Sequence, residues 1–192
     1  MIPLDRGREE GVPIQLMIVY FLRHASAGDP LSDAQKDESR ALDKDGIAQC
    51  QDVGRALAAL GVEADIIVSS PLKRAEQTAE LVGRELGYKG KPIFDDALRP
   101  GAGFGAFQTL LAQHSSRENI FVVGHNPNLS DFLGRLISDS RTAAAIELKK
   151  GAVAKVELEG GQGLLHWCIT PKIVRALQAM PTKSSRPKTS RK

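Results

Sequence analysis

Short apolar runs alternate with amphipathic stretches along most of this chain. Runs rich in β-branched and aromatic residues lie within residues 17–22, 65–69 and 119–123, a pattern typical of strands that are buried on both faces. Apolar residues at helical spacing follow the runs at 65–69 and 119–123, and they also occur in the stretch before the run at 65–69. Strands that alternate with helices pair in parallel, so the pattern predicts an α/β fold, a three-layer α/β/α sandwich around a mostly parallel sheet.

The remaining elements are predicted from the same periodicities and from the glycines that end helices. We expect helices at 45–60, 71–86, 104–114, 128–138 and 172–179, a short strand at 92–94, and an antiparallel hairpin of 152–158 with 164–169. The hairpin makes the sheet mixed. We assign residues 17–180 to one domain, residues 1–16 to an N-terminal extension and residues 181–192 to a disordered basic tail.

Polar side chains follow three of the predicted strands at the point where each strand ends. Arg23 and His24 come directly after the first strand, and His125 follows a later one. Arg74 lies in the first turn of the helix after the second strand. Because open α/β sheets bind ligands at the carboxyl ends of their strands, we expect these four side chains to meet at one sheet edge.

The segment that leads to Arg74 refines this prediction. Pro71 suits the first helical turn, where its missing N–H is tolerated. Arg74 is then beside the partly positive helix N-terminus, where anions bind readily. We interpret Ser69 and Ser70 as turn and cap residues rather than as nucleophiles.

Two arginines and two histidines at one sheet edge describe a pocket for a phosphoryl group. A guanidinium group offers a planar fork of donors that suits phosphate oxygens. A neighbouring imidazole can act as a nucleophile or as an acid–base group. A metal site built on the two histidines is the rival chemistry, but it lacks a third ligand nearby and the arginines would repel a cation. We therefore expect no metal.

The three motifs together resemble the histidine phosphatase superfamily, whose fold is phosphoglycerate mutase-like. They are Leu22-Arg23-His24, the run Ser-Ser-Pro-Leu-Lys-Arg-Ala-Glu-Gln-Thr-Ala at 69–79, and Val-Gly-His-Asn-Pro at 123–127. Each motif is weak alone, but all three in this order, each behind a predicted strand, are specific. The chain is most similar to the short SixA-type phosphohistidine phosphatases, over roughly 17–179, although Ala25 stands where the family usually has glycine.

The resemblance implies a role for each residue of the pocket. His24 would be the nucleophile that attacks phosphorus through one ring nitrogen, while a backbone carbonyl holds the other nitrogen as a donor. Arg23, Arg74 and His125 would bind the non-bridging oxygens and stabilise the transition state. Asn126 would add an amide donor to this substrate-binding set.

The acid that protonates the leaving group is the least defined part of this site. Many relatives place a Glu or Asp near the second histidine or in the loop after the helix that carries the Arg74-type residue, but Asn126 follows His125 here. Asp95 and Asp96 are candidates, and they could equally be loop caps. An imidazole needs an acid less than an alkoxide does, so a missing acid is consistent with a phosphohistidine substrate.

Three classes of function stay open. The first is a phosphohistidine phosphatase that acts on a phosphorylated protein through a covalent intermediate on His24. The second is a phosphatase of small phosphoesters with the same chemistry, which a usable acid at Asp95 or Asp96 would favour. The third is a non-enzymatic module that binds phosphoproteins, and the intact set of pocket residues argues against it.

Charge is unevenly distributed along the chain. Hydrophobic and charged residues make up 42% and 26% of the sequence, as in an ordinary soluble protein. Residues 181–192 hold five of the 26 basic residues and none of the 23 acidic ones, so the remainder has 21 basic residues and a formal charge of −2. A basic tail can contact nucleic acid or anionic lipid, but it is more often solvated, and we expect neither partner.

The cysteines, the N-terminus and a glycine-rich segment exclude other classes of protein. Cys50 and Cys168 form no Cys-x-x-Cys motif, which indicates buried apolar roles in a reducing cytoplasm. Residues 1–16 lack the apolar stretch of a signal peptide, and no run is long enough to cross a bilayer. The segment 101–106 fits a dinucleotide-binding pattern, but it follows no strand and no suitable acid comes after it, so we expect no cofactor.

Overall fold

A six-stranded mixed sheet forms the centre of the computed structural model, which describes residues 16–138 and 144–180. The predicted tail and all but the last residue of the predicted extension lie outside the described residues. The strands are β1 (Met17–Arg23), β2 (Ile66–Ser69), β3 (Ile93–Phe94), β4 (Asn119–Gly124), β5 (Val153–Glu159) and β6 (Gln162–Ile169). The helices are α1 (Ala34–Glu38), α2 (Lys44–Ala59), α3 (Lys73–Glu85), α4 (Phe104–Gln113), α5 (Asn128–Leu136) and α6 (Pro171–Gln178).

The strand order in the sheet is β3-β2-β4-β1-β5-β6. The first four strands in this order pair in parallel, and the hairpin of β5 and β6 adds two antiparallel strands beside β1. The mixed, mostly parallel sheet predicted from the sequence is therefore confirmed. Its carboxyl edge is formed by the ends of β1, β2 and β4, which are the strands that precede the candidate pocket residues.

Alternate residues of each central strand enter two separate hydrophobic cores. In β1, Val19 and Phe21 belong to the core beneath α4 and α5, whereas Tyr20 and Leu22 belong to the core beneath α2, α3 and α6. All four side chains are at most 3% exposed. Burial on both faces explains why the strand reads as a continuous apolar run, and it confirms the three-layer arrangement.

Local chemistry sets the ends of the helices. Gly61 and Gly87 adopt φ values of +69° and +72° just beyond α2 and α3, a conformation that glycine reaches without strain. The predicted start of α3 was wrong, because Pro71 lies before the helix. The carbonyl of Leu72 accepts the first helical bonds, so the helix begins at Lys73, and Arg74 still lies in its first turn.

Two short helices interrupt segments that carry no clear periodicity. One is α1, whose first N–H groups are capped by the Asp33 carboxylate. The other is a 3-10 turn at Asp96–Leu98, where the Asp95 carboxylate accepts a bond from the Ala97 N–H. Both have side-chain caps, and the 3-10 turn also buries Ala97 and Leu98 in the core beneath α4 and α5. No helix in the described part of the chain is long and apolar enough to span a membrane.

The loop after β1 is fixed against the first turn of α2. The Asp43 carboxylate caps the helix through the Gly46 N–H and also accepts bonds from the Ser26 hydroxyl and the Gly28 N–H. Gly46 packs so closely that a Cβ there would collide with the Ser26 carbonyl oxygen. Glycine at this position lets the chain just beyond His24 lie directly on the helix.

We predict that Gly46→Ala destabilises the fold. Overpacking against backbone atoms costs about 1–3 kcal/mol, so the free energy of unfolding measured by denaturant titration will fall by that amount. Gly105→Ala is the matched control, because Gly105 lies in α4 with open space around it, and it will leave stability unchanged or slightly raised. Equal stability of Gly46→Ala and the unsubstituted protein would contradict the close approach.

Candidate active site

The ends of β1 and β4 lie side by side and deliver the two histidines to one place. Arg23 pairs with Gly124 across the two strands, and the His24 N–H donates to the Gly124 carbonyl at 3.0 Å. The imidazole ring centroids of His24 and His125 are 4.9 Å apart. Parallel pairing in this register is therefore what brings two distant sequence motifs together.

A cavity of about 310 Å³ opens at this edge of the sheet. The structure brings all five predicted catalytic and substrate-binding residues to its wall. The lining comprises Arg23, His24, Gly28, Pro30, Asp37, Arg40, Arg74, Pro100, His125, Asn126 and Lys150. Its charged side chains are three arginines, one lysine and one aspartate, so the wall favours an anion.

His24 is buried and held in one tautomer. Its Nδ1 lies 2.8 Å from the Ala25 carbonyl oxygen, which can only accept, so Nδ1 carries the proton and Nε2 keeps its lone pair. Burial, together with the charges of Arg74 and Arg23, lowers the pKa of His24 to about 4, although the hydrogen bond to the Ala25 carbonyl acts to raise it. The ring is neutral at pH 7 and has a nucleophilic nitrogen.

His125 is buried beside the hydroxyl of Ser70. Its Nε2 lies 2.9 Å from Ser70 Oγ, and burial together with the neighbouring His24 and Arg74 lowers the pKa of His125 to about 2. The serines were predicted to be turn and cap residues. Ser70 does take part in a turn, where its Oγ accepts a bond from the Leu72 N–H at 3.4 Å, but the predicted capping role was wrong. Both serines are fully buried, Ser69 Oγ donates to the Ser70 carbonyl, and α3 has no side-chain cap. Because Ser70 comes from the end of β2, it links a third strand end to the site.

Arg23 and Asn126 share one acceptor. Arg23 Nη1 and Asn126 Nδ2 both donate to the Leu148 carbonyl, at 2.8 and 2.9 Å. The Asn126 Oδ1 accepts a bond from the Ser130 hydroxyl at 3.0 Å, so both ends of this amide are held. Leu148 lies in the segment before β5, which therefore orients two lining residues at once.

Arg74 is oriented by α1, an element that the sequence did not predict. Its Nη1 donates to the Asp37 carbonyl at 2.8 Å and lies 3.2 Å from the Asp37 carboxylate. The Arg40 guanidinium and the Leu31 N–H lower the pKa of Asp37 to about 2, so this carboxylate is ionised at neutral pH. Asp37 and Arg40 were missed as site residues, and their only sequence signal is an oppositely charged pair at helical spacing.

Three polar atoms of the site are buried without a hydrogen-bond partner among the described residues. They are Nε of Arg23, Nε of Arg74 and Nδ1 of His125. Buried polar atoms are rarely left without a partner in folded proteins. All three belong to residues of the cavity wall, so the unpartnered polar atoms are concentrated around this cavity.

The candidate acids lie elsewhere. Among the described residues, the cavity wall includes neither Asp95 nor Asp96. The Asp95 carboxylate caps the 3-10 turn, which agrees with the alternative prediction of a loop cap. The Asp96 carboxylate pairs with Arg99 at 2.6 Å. Asp37 is the single carboxylate in the described cavity wall, and its low pKa makes it a poor proton donor.

Ala25 is accommodated without loss of the site. Its side chain is fully buried in the core beneath α2 and α3, and its N–H donates to Thr78 Oγ1 at 3.1 Å. The Thr78 hydroxyl in turn donates to the Arg74 carbonyl at 2.7 Å. The substitution of the usual glycine thus leaves the backbone after His24 tied to the helix that carries Arg74.

The described residues contain no group of three or more His, Cys, Asp or Glu side chains placed to hold a metal ion. Guanidinium groups surround the two histidines instead, and their charge disfavours a cation at this position. The donor set therefore suits an oxyanion with several oxygens, such as a phosphoryl group.

The sequence of this chain is similar to the sequences of known proteins. The model of the histidine phosphatase superfamily (branch 1) matches residues 19–102. An uncharacterized protein of Picosynechococcus sp. is 34% identical over 140 residues, which cover 71% of this chain and 82% of that protein. The phosphohistidine phosphatase SixA of Escherichia coli (strain K12) is 27% identical over 168 residues, which cover 85% of this chain and 100% of SixA.

A solved structure agrees with the sequence matches. The protein histidine phosphatase SixA complexed with tungstate has a TM-score of 0.72 and 26% identity, with 82% of this chain and 99% of that chain covered. The fold implied by the sequence motifs is thereby confirmed. On the evidence of motifs, fold and sequence together, this chain belongs to the histidine phosphatase superfamily and is a homologue of SixA.

Proposed function

We propose that this protein removes phosphate from phosphohistidine in a protein, through a covalent phosphohistidine on its own His24. The observation that carries the proposal is the state of His24, a neutral ring with a free Nε2 in a cavity walled by guanidinium groups. The SixA relative described as complexed with tungstate supports it, because tungstate is a tetrahedral oxyanion like phosphate. The name of SixA supplies the class of substrate.

In the first step the Nε2 lone pair of His24 attacks phosphorus. A P–N bond forms to His24 as the P–N bond to the substrate imidazole breaks, and the departing nitrogen takes up a proton from solvent. Arg23, Arg74 and His125 bind the non-bridging oxygens as charge shifts in the transition state. Water then attacks phosphorus, and the P–N bond to His24 breaks. This step releases inorganic phosphate and restores the His24 lone pair.

The absence of a usable acid from the described cavity wall supports a phosphoramidate substrate. The imidazole of phosphohistidine leaves as a stable neutral ring once solvent has protonated it, so its departure needs a general acid less than the departure of an alkoxide does. An alkoxide is a far poorer leaving group, and general acid catalysis of its departure is typically worth about 10²–10⁴-fold in rate. Asp37, ionised by its arginine neighbour, cannot supply that help.

We predict that His24→Ala abolishes turnover and leaves the fold intact, because only this side chain forms the covalent intermediate. A short incubation with ³²P-labelled phosphohistidine protein, followed by peptide mapping, will place the label on His24. His166→Ala is the matched control, since His166 lies on β6 and pairs with Glu157 outside the cavity, and it will retain full activity and labelling. Label on Ser70 or His125 would overturn the assignment of the nucleophile.

Leaving-group dependence separates phosphohistidine from small phosphoesters. We expect hydrolysis of phosphohistidine protein and phosphoramidate, slower hydrolysis of aryl phosphates that falls steeply as the leaving-group pKa rises, and negligible hydrolysis of sugar phosphates. Asp95→Asn and Asp96→Asn will each change these rates less than about twofold, compared with the 10²–10⁴-fold of a true general acid. Efficient hydrolysis of sugar phosphates that is lost in either variant would indicate a small-molecule phosphatase instead. Binding of phosphohistidine protein without turnover would indicate a phosphoprotein-binding module.

The lowered pKa of His24 predicts the pH at which the nucleophile is lost. Protonation removes the Nε2 lone pair, so activity will persist as pH falls through 6.5 and will decline near pH 4. Because the unfolded ring binds a proton at higher pH than the folded one, stability will also fall as pH drops from 6.5 towards 4. NMR titration of the His24 ring in the free enzyme measures this directly. A midpoint near 6.5 would show that burial does not control this ring.

A further inference from the structure

A second cavity adjoins the active site on the side of α6. It has a volume of about 480 Å³, and Lys150 lines both it and the active-site cavity. Its wall contains four cationic side chains, Lys149, Lys150, Lys172 and Arg175. No acidic side chain of the described residues belongs to that wall. We call this second cavity the basic groove.

The cations of the basic groove are unequally neutralised. Arg175 forms ion pairs with Asp45 and Asp52 at 2.9 and 2.8 Å, and Lys149 pairs with Glu147. Within the described residues, by contrast, Lys172 has no ion-pair partner, and Lys150 makes only a long bond of 3.4 Å to the Gly28 carbonyl. Lys150 and Lys172 are therefore available to carboxylates of another molecule.

The turn that carries Lys149 and Lys150 is fixed to the end of β1. The Gly151 N–H lies 3.2 Å from the carbonyl oxygens of both Arg23 and His24. Gly151 adopts a φ of +70°, and a Cβ there would lie 2.9 Å from Pro171 Cγ at the start of α6. The turn therefore packs between the end of β1 and the start of α6. Because Lys150 lines both cavities, a cationic side chain lies where the active-site cavity meets the basic groove.

We propose that the basic groove binds acidic residues that flank the phosphohistidine of a protein substrate, an inference that rests on the proposed function. A small phosphoester would be contained in the active-site cavity and would leave the groove unused. The two cavities adjoin at Lys150, so a protein surface that presents phosphohistidine to the first would bring the residues flanking it close to the second. Opposite charges at such a contact increase the association rate and set the orientation of the partner.

The chemistry of the groove favours a protein over a nucleic acid. Single-stranded nucleic acids bind to basic channels that also present aromatic side chains for base stacking. The described wall of the basic groove holds cationic, amide, hydroxyl and proline side chains and no aromatic ring. Carboxylates of an acidic protein segment need only the cations.

The test uses two synthetic phosphohistidine peptides of equal length. One has Asp and Glu on both sides of the phosphohistidine, and the other has Asn and Gln at the same positions. The groove variant is Lys149→Glu with Lys172→Glu, which reverses Lys172, unpaired within the described residues, and places a second acidic side chain near Glu147. Lys150 is left unchanged because it also lines the active-site cavity. The matched control is Lys89→Glu with Lys91→Glu, which reverses two exposed lysines next to β3, at the opposite edge of the sheet from β6.

We expect the unsubstituted protein to have the lower KM for the acidic peptide. The groove variant will raise that KM by roughly 5- to 20-fold, as loss and reversal of two exposed charges imply, with kcat changed less than about twofold. Its KM for the Asn/Gln peptide will stay the same, and the control variant will match the unsubstituted protein on both peptides. Added salt will reduce the difference between the peptides.

Each other outcome has a definite meaning. An unchanged KM for the acidic peptide in the groove variant, or equal losses on both peptides, would overturn the docking role while leaving the proposed function intact. Failure of the unsubstituted protein to hydrolyse either peptide would overturn both proposals. Loss of binding to phosphatidylserine vesicles in the groove variant, with peptide KM unchanged, would reassign the groove to a membrane surface.

Discussion

The parallel pairing of β1 with β4 is the constraint on which the site depends. Its register sets Arg23 opposite Gly124, so the chain leaves both strands at the same level and the two histidine rings come within 4.9 Å. A shift by one residue would turn alternate side chains to the opposite core, and every strand residue from Val19 to Leu22 is buried. The packing that stabilises the fold therefore also fixes the geometry of the chemistry.

Burial lowers the pKa of both kinds of cavity residue, yet the histidines and the arginines end in different charge states. It holds the imidazoles of His24 and His125 neutral, which preserves a nucleophilic nitrogen among positive charges. It also lowers the pKa of the Arg74 guanidinium, but Asp37 opposes that effect and guanidinium stays protonated in proteins. One sheet edge thus holds neutral bases beside permanent cations, and metal ions are not needed to create that contrast.

The sequence predicted the features that depend on strong local signals. Apolar runs identified β1, β2 and β4, and the polar residues that end them identified Arg23, His24 and His125. Other features depend on contacts between distant segments. Arg23 bonds to Leu148 across 125 positions, and the role of Ser70 depends on a histidine 55 positions away. Likewise, Asp37 and Arg40 lie in a polar stretch with no apolar periodicity, so the sequence did not connect them with Arg74.

The shared Leu148 carbonyl has a consequence for how the site responds to change. Arg23 and Asn126 both donate to this oxygen, so each donor helps to hold the position of the acceptor that the other uses. Groups that share a partner are coupled, commonly by about 0.5–3 kcal/mol. The effects of substitutions at the two positions will consequently be non-additive. The position of that main-chain oxygen is in turn set by the Leu148 side chain, which is fully buried in the core beneath α4 and α5.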